Sequence, residues 1–280
     1  MRTYLERAAS RALTPTGGFL RGFAYSLNPY TGCAFGDRGG CPYCYVRALP
    51  VAHAHPGGWG SWVIAKANLP DLLDRELALL ERSGKLAGAA IFMSSATDPY
   101  QGLERRARLT RSALEAFVRR PPRRLLIQTR SPLIERDIDL IARLGERAIV
   151  SITLESDDDA VRRAITPTSP SVGRRLTTMR RMRAAGIFTQ IAIAPMLPNQ
   201  PERFAELAAP VVDRAIVDTY FEGDGAGGRR SRALGMGALY ERLGYGQWFA
   251  PGAERELLAA MRARLGAGRV LFSRSGFSAV

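Results

Sequence analysis

The chain has three cysteines, two histidines, two lysines and no long apolar run, and each scarcity excludes something. An odd number of thiols, all within residues 33–44, cannot be a disulfide framework. Nowhere do about 18 apolar residues follow one another, so a membrane-spanning helix is not expected. The opening stretch MRTYLERAASRALTPTGGFL holds basic groups but no apolar run of the kind a signal peptide needs. Free, clustered thiols then point to a reducing cytoplasm. Of the 40 basic residues only Lys66 and Lys85 are lysines, the rest arginines, against 26 acidic residues, for a formal charge of +14. A field of that sign favours a phosphate-bearing partner such as nucleic acid. Solvated helix faces in an arginine-rich proteome with GC-rich codons account for it equally well.

What the chain does contain is ordinary globular material, 46% hydrophobic and 24% charged over 280 residues. Short apolar runs suited to buried strands occur at 22–27, 89–93, 125–128, 148–154, 187–194 and 215–217. Amphipathic stretches with apolar residues three and four apart lie among them, at 69–82, 103–119, 133–144 and 172–185. Continuous apolar strands alternating with such helices imply a parallel sheet covered on both faces. About six βα units are fewer than a closed eightfold barrel needs, so an open or partial barrel is expected. The Gly-rich stretch 219–230 reads as a loop, 232–243 and 251–265 as helices, and 269–272 as a last short strand. No linker divides the chain, which is read as one domain over 1–280.

The cysteines are Cys33, Cys41 and Cys44, spaced C-x7-C-x2-C. Three thiolates suit zinc or an iron–sulfur cluster. Structural zinc needs a fourth ligand, for which His53 and His55 are available, but Cys33 and Cys41 lack the short knuckle spacing of such sites. A cubane cluster with four cysteines is coordinatively complete, whereas three leave one iron open. An open iron can chelate the amine and carboxylate of S-adenosylmethionine, whose reductive cleavage yields a 5′-deoxyadenosyl radical.

This segment resembles the cluster loop of the radical S-adenosylmethionine (radical SAM) superfamily, whose usual spacing is three residues and then two, with an aromatic before the last cysteine. Tyr43 fills that place in CPYC. The longer first gap, AFGDRGG, contains Gly36, Gly39 and Gly40, which let a loop bulge without steric cost. Further stretches narrow the resemblance to spore photoproduct lyase and its bacterial relatives. They are NPYTGC (28–33), CPYCYVR (41–47), SSATDPYQGLE (94–104), TRSPLIERDIDLI (129–141), SITLES (151–156) and AAGIFTQIAIAPMLP (184–198). They fall in order within about residues 20–220, where strands end.

The resemblance implies an α/β fold, a partial (β/α)6 barrel of the radical SAM type with C-terminal helical additions over 221–280. It implies a [4Fe-4S] cluster on Cys33, Cys41 and Cys44, with Tyr43 beside it. Ser94 and Thr97 fall where the cofactor's amino group is bound, and Arg130 where a lysine grips its carboxylate. An arginine fork serves a carboxylate equally. Ser151 and Glu155 fall where ribose hydroxyls are held, and Ile193, Ala194 and Pro195 at the adenine edge. Asp98 before Pro99 also reads as a helix cap. The lyase's radical-quenching cysteine is replaced by Ser95, whose O–H bond is too strong for that task. Tyr220 and Tyr100 are the alternative hydrogen donors. The expectation is a cytoplasmic radical SAM enzyme, lyase-like or with other radical chemistry. It takes electrons from a reductant such as flavodoxin or ferredoxin and acts on a nucleic-acid lesion or nucleotide. The alternative is a non-catalytic, metal-stabilised nucleic-acid-binding protein.

Overall fold

The computed structural model describes residues 3–35 and 40–278, so all but the last residue of the GDRGG insertion lies outside the described residues. Eleven strands are found among them: β1 Thr3–Arg7, β2 Leu13–Pro15, β3 Tyr25–Leu27, β4 Tyr30–Cys33, β5 Trp62–Lys66, β6 Ala90–Met93, β7 Arg124–Thr129, β8 Ala148–Thr153, β9 Phe188–Ile193, β10 Arg214–Val217 and β11 Val270–Phe272. The helices are α1 Leu69–Arg82, α2 Glu104–Ala107, α3 Leu109–Arg119, α4 Ile138–Arg143, α5 Asp159–Ile165, α6 Val172–Ala184, α7 Pro201–Ala208, α8 Arg229–Ala233, α9 Met236–Arg242, α10 Arg255–Leu265 and α11 Ser273–Phe277. No described helix is long and apolar enough to cross a membrane.

Eight strands make the main sheet in the order β11-β10-β9-β8-β7-β6-β3-β2. Every neighbouring pair is parallel except β2 with β3. Strand side chains alternate between faces. Ile91, Leu125, Val150 and Ile191 enter the large core beneath the helices. Phe92, Leu126 and Ile149 meet Phe23 on the opposite, inner face. The sheet is therefore apolar on both sides, as parallel sheets must be when helices cover them. Its two end strands, β2 and β11, are not paired with each other among the described residues. Near the β11 end of this open barrel, Phe19 and Phe277 pack with ring centres 5.5 Å apart against Ala192 and Ile216 of the inner face.

Helix boundaries have local causes. Asp158 and Ser171 accept hydrogen bonds from Ala160 and Arg174 amides at the starts of α5 and α6, and Pro201 opens α7. The expected single helix over 103–119 divides into α2 and α3 because Arg108 adopts φ +52°, which no helix continues through. The stretch 133–144 opens as a tight 3₁₀ turn at Pro132–Asp137 before α4 begins. The C-terminal addition is more integrated than its irregular sequence implies, since β11 is a full member of the main sheet.

The cysteine segment does not follow β3 directly. Cys33 ends β4, which belongs to a separate three-stranded sheet, β1-β5-β4. Asn28, Pro29 and Gly32 hide this strand from any apolar count. Gly32 sits at φ +87°, and a Cβ there would stand 2.5 Å from both the ring and the carbonyl oxygen of Trp62. Only glycine permits the close crossing that aims Cys33. Gly32→Ala should lower the unfolding free energy by about 2–4 kcal/mol through strain and overpacking. Gly88→Ala, whose Cβ would meet nothing within 4 Å, should stay within about 0.5 kcal/mol of the parent. Urea titration of the three proteins would check this, and equal losses at both glycines would contradict it.

Candidate active site

All three cysteines line one cavity of about 550 Å³ at the C-terminal ends of the parallel strands. Its walls are mainly apolar, with Trp59, Phe92 and Phe277 among them. Ser94, Ser95, Thr97, Arg130, Tyr43 and Tyr220 reach it too. Neither His53, which is exposed, nor His55 does. The His55 Nδ1 accepts from the Gly57 amide at 2.9 Å, and its ring packs near Trp62. Among the described residues no three His, Cys, Asp or Glu side chains surround a point as one ion requires. A cubane places a different demand, because each thiolate ligates its own iron.

The thiols are set for a cationic partner. Burial pushes Cys33 up to about 12, and burial together with Cys41 raises Cys44. A metal that supplied positive charge would reverse both shifts. Three soft donors on one wall, Cys33 and Cys44 among them disfavoured as free anions, suit metal bound by thiolates.

The loop carrying the cysteines is fastened to the barrel by a buried charge network. Glu155, 1% exposed, receives Arg175 Nη1 at 2.7 Å on one oxygen. Its other oxygen takes Arg130 Nη2 at 3.1 Å and the Tyr43 hydroxyl at 2.7 Å. Burial alone would raise this carboxyl, yet Arg130, Arg175 and Tyr43 hold it down at about 2. Arg130 also donates from Nη1 to Cys41 Sγ and to the Ser169 hydroxyl, both at 3.0 Å. Asp98 caps no helix. It accepts from the Tyr100 and Arg130 amides and from the Thr129 hydroxyl, binding the ends of β6 and β7 together.

The loop after β6 is tied to the same segment. Asn28 bonds the Ser95 hydroxyl and the Ala96 amide, at 3.2 and 3.0 Å. Thr97 donates its hydroxyl to the Gly32 carbonyl, and Tyr45 donates to that of Ser95. Ser94 is held at φ +74°, and its buried hydroxyl has no partner among the described residues.

The Radical SAM superfamily sequence model matches residues 27–209, which contain every element just described except Tyr220 and the C-terminal wall. The chain belongs to the radical SAM superfamily. An uncharacterized protein of Methanocaldococcus jannaschii is 32% identical over 191 residues, 68% of this chain and 66% of that one. A second, from Mycobacterium tuberculosis, is 29% identical over 181 residues, 63% of this chain and 51% of its own length. The aligned stretch thus spans about half to two thirds of these relatives. A spore photoproduct lyase structure with bound AdoMet and dinucleoside spore photoproduct superposes with TM-score 0.66 at 13% identity, over 97% of this chain and 82% of that one. It shares the fold of this radical SAM chain.

Not every expected residue arrives at the cavity. Ser151 lies outside it, fully buried, its hydroxyl accepting from Gln190 Nε2 at 2.9 Å. It sits too deep in β8, and Thr153, two residues on, lines the wall instead. Glu155 has both oxygens engaged by protein donors. Tyr100 is buried behind the wall and Ile193 faces the helical core, whereas Ala194 and Pro195 do line the cavity. Nothing in the residue pattern singles out Gln128, Tyr45 or Asp218, though Asp218 directly follows an apolar run, the usual place for a functional residue.

Asp218 is 4% exposed and pairs with no cation among the described residues, so burial, with Glu222 and Asp224 adding repulsion, pushes its carboxyl up to about 7. The folded state therefore holds this proton more tightly than the unfolded chain, whose carboxyl titrates near about 3.9. Stability from this group is complete below about pH 4 and is lost as pH rises through 7. Asp218→Asn should remove that dependence, so that the parent loses a few kcal/mol more than the variant between pH 4 and 8. Urea midpoints at both pH values would test it. Identical slopes for the two proteins would show the carboxyl to be unstrained.

Proposed function

We propose that this protein carries a [4Fe-4S] cluster on Cys33, Cys41 and Cys44 and uses S-adenosylmethionine for radical chemistry on a nucleotide or nucleic-acid lesion. The observation that carries this is the meeting of the chain's only three cysteines with Arg130 at one apolar cavity on the strand ends. When bound, the cluster and cofactor supply a strongly oxidising primary carbon radical, and a low-potential reductant such as a flavodoxin or ferredoxin supplies the electron. The protein's part is positioning. Arg130, steadied by Glu155 and Ser169, presents a guanidinium beside the cluster thiol Cys41, where a cofactor carboxylate is to be held. Ser94 offers a free hydroxyl, and Thr97 fixes the loop that the amino group is to meet. The apolar walls exclude water, which strengthens the polar contacts made inside the site.

With serine at position 95, Tyr220 is the hydrogen-atom donor this reading favours. Its ring lies edge-on to Tyr43, centres 6.2 Å apart, and its hydroxyl is 3.1 Å from that of Tyr240. Burial raises the Tyr220 phenol well above its ordinary range, so it stays protonated. The net charge of +14 suits a phosphate-bearing substrate. Residues 1–280 would then work as one catalytic unit, the C-terminal segment supplying Phe277 to the cavity wall.

The test is anaerobic reconstitution, iron and sulfide counting, then reduction with S-adenosylmethionine present. Four irons per chain and formation of 5′-deoxyadenosine are expected. Cys44→Ala should lose the complete cluster and nearly all cleavage. A colourless protein holding one zinc, or intact cofactor after reduction, would refute the proposal.

A further inference from the structure

The cavity holds one acid that the cluster and its cofactor do not explain. Other buried carboxylates in the described structure have neutralising company: Glu155 has two arginines, Asp137 has Arg111 and Arg136, and Glu104 has Arg136. Asp224 accepts from three backbone amides, and Asp98 from two amides and a hydroxyl. Asp218 receives only neutral donors, the Thr219 amide at 2.9 Å and the Ser273 hydroxyl, and no cation pairs with it among the described residues. Arg230, on the same cavity, gives its Nη1 to the Asp224 carbonyl instead. A buried carboxylate without a neutralising cation is costly unless a ligand completes it.

Its setting is built for that. Asp218 stands just past β10 on the inner face, with Gly223 against it. A Cβ on Gly223 would come within 2.3 Å of Asp218 Oδ2, so only glycine leaves the carboxylate its place. A second unspent acceptor lies elsewhere on the cavity wall. Gln128 spends its Nε2 on Thr153, leaving a buried Oε1 on that wall with no partner among the described residues. From β7, where Arg130 follows, to β10 is three strand spacings, roughly 14 Å along the sheet. Asp218 is therefore well separated across the sheet from Arg130, where the cofactor carboxylate is to be held, and a substrate would lie beside it.

We propose that Asp218 is the substrate's polar anchor, accepting from an N–H-bearing group, an amine, an amidine or the amino edge of a nucleobase, carried on a flat apolar body. Phe277 and Phe92 supply the matching apolar walls. This rests on the radical SAM reading of the same cavity and names the chemistry of what enters it.

The test is calorimetric binding of benzamidine and benzoate to the anaerobically reconstituted protein at pH 8, with neither reductant nor S-adenosylmethionine present. Benzamidine should bind the parent in preference to benzoate. Asp218→Asn should weaken benzamidine at least about tenfold and abolish the preference. Gly223→Ala keeps the carboxylate but displaces it, and should weaken benzamidine as well, so the proposal remains testable if the first variant folds poorly. Cytidine competing with benzamidine in the parent but not in Asp218→Asn would identify a nucleobase edge; benzamidine binding without cytidine competition would identify a free amine or amidine. Equal benzamidine affinity in parent and both variants, or none in the parent, would overturn the assignment. Because no cofactor is consumed, failure to form 5′-deoxyadenosine would sink the radical reading and leave this result standing.

Discussion

The structure turns on a single buried carboxylate. Glu155, just beyond β8, holds Arg175 from α6, Arg130 from the end of β7 and Tyr43 from the cluster loop at once. A buried charge of this kind survives only when its donors are complete, and removing one partner typically costs about 3–5 kcal/mol. The geometry it imposes matters more than any net stabilisation. Helix, strand end and cluster loop cannot drift independently while they share one anion. Cys41 inherits its position through Arg130, and Tyr43 lies between Cys41 and Cys44 in sequence.

Around that point the protein separates two kinds of polar group. Residues that fix the loop, Asn28, Thr97, Asp98 and Gln101, spend their hydrogen-bonding capacity within the protein. Residues that face the cavity keep some of theirs: Ser94 its hydroxyl, Gln128 its carbonyl and Asp218 a carboxylate without a cation. In a low-dielectric site with aromatic walls, unspent capacity is where a ligand gains most. The C-terminal segment completes this division, since Ser273 meets Asp218 and Phe277 meets Phe19.

Much of the fold was legible because buried parallel strands announce themselves. The runs 89–93, 125–128, 148–154, 187–194 and 215–217 each coincide with β6 to β10 within a residue or two. The helix at 69–82 matches α1 because Leu69, Leu72, Leu73 and Leu77 keep one buried face. The small sheet was not legible. Thr3–Arg7 is largely exposed and Tyr30–Cys33 contains a glycine, so neither has the continuous apolar pattern that reveals a strand. Its strands exist because β5, buried along nearly its whole length, has hydrogen-bonding edges for both to pair with.

By itself the sequence determined the chemistry available: three thiols without a fourth, an aromatic at 43, and arginine and acid at the ends of predictable strands. Those follow from residue identity and local period, which need no long-range contact to be read. Only the tertiary structure decided which polar groups were free. Ser151 and Thr153 differ by two residues on one strand and share its inner face, yet depth alone sends one to Gln190 and the other to the cavity. Glu155 and Asp218 are both acids just past a strand, and what separates them is the presence or absence of arginines far away in sequence. Partnership between distant residues is set by packing, and it is partnership that makes one carboxylate a brace and leaves the other open to a ligand.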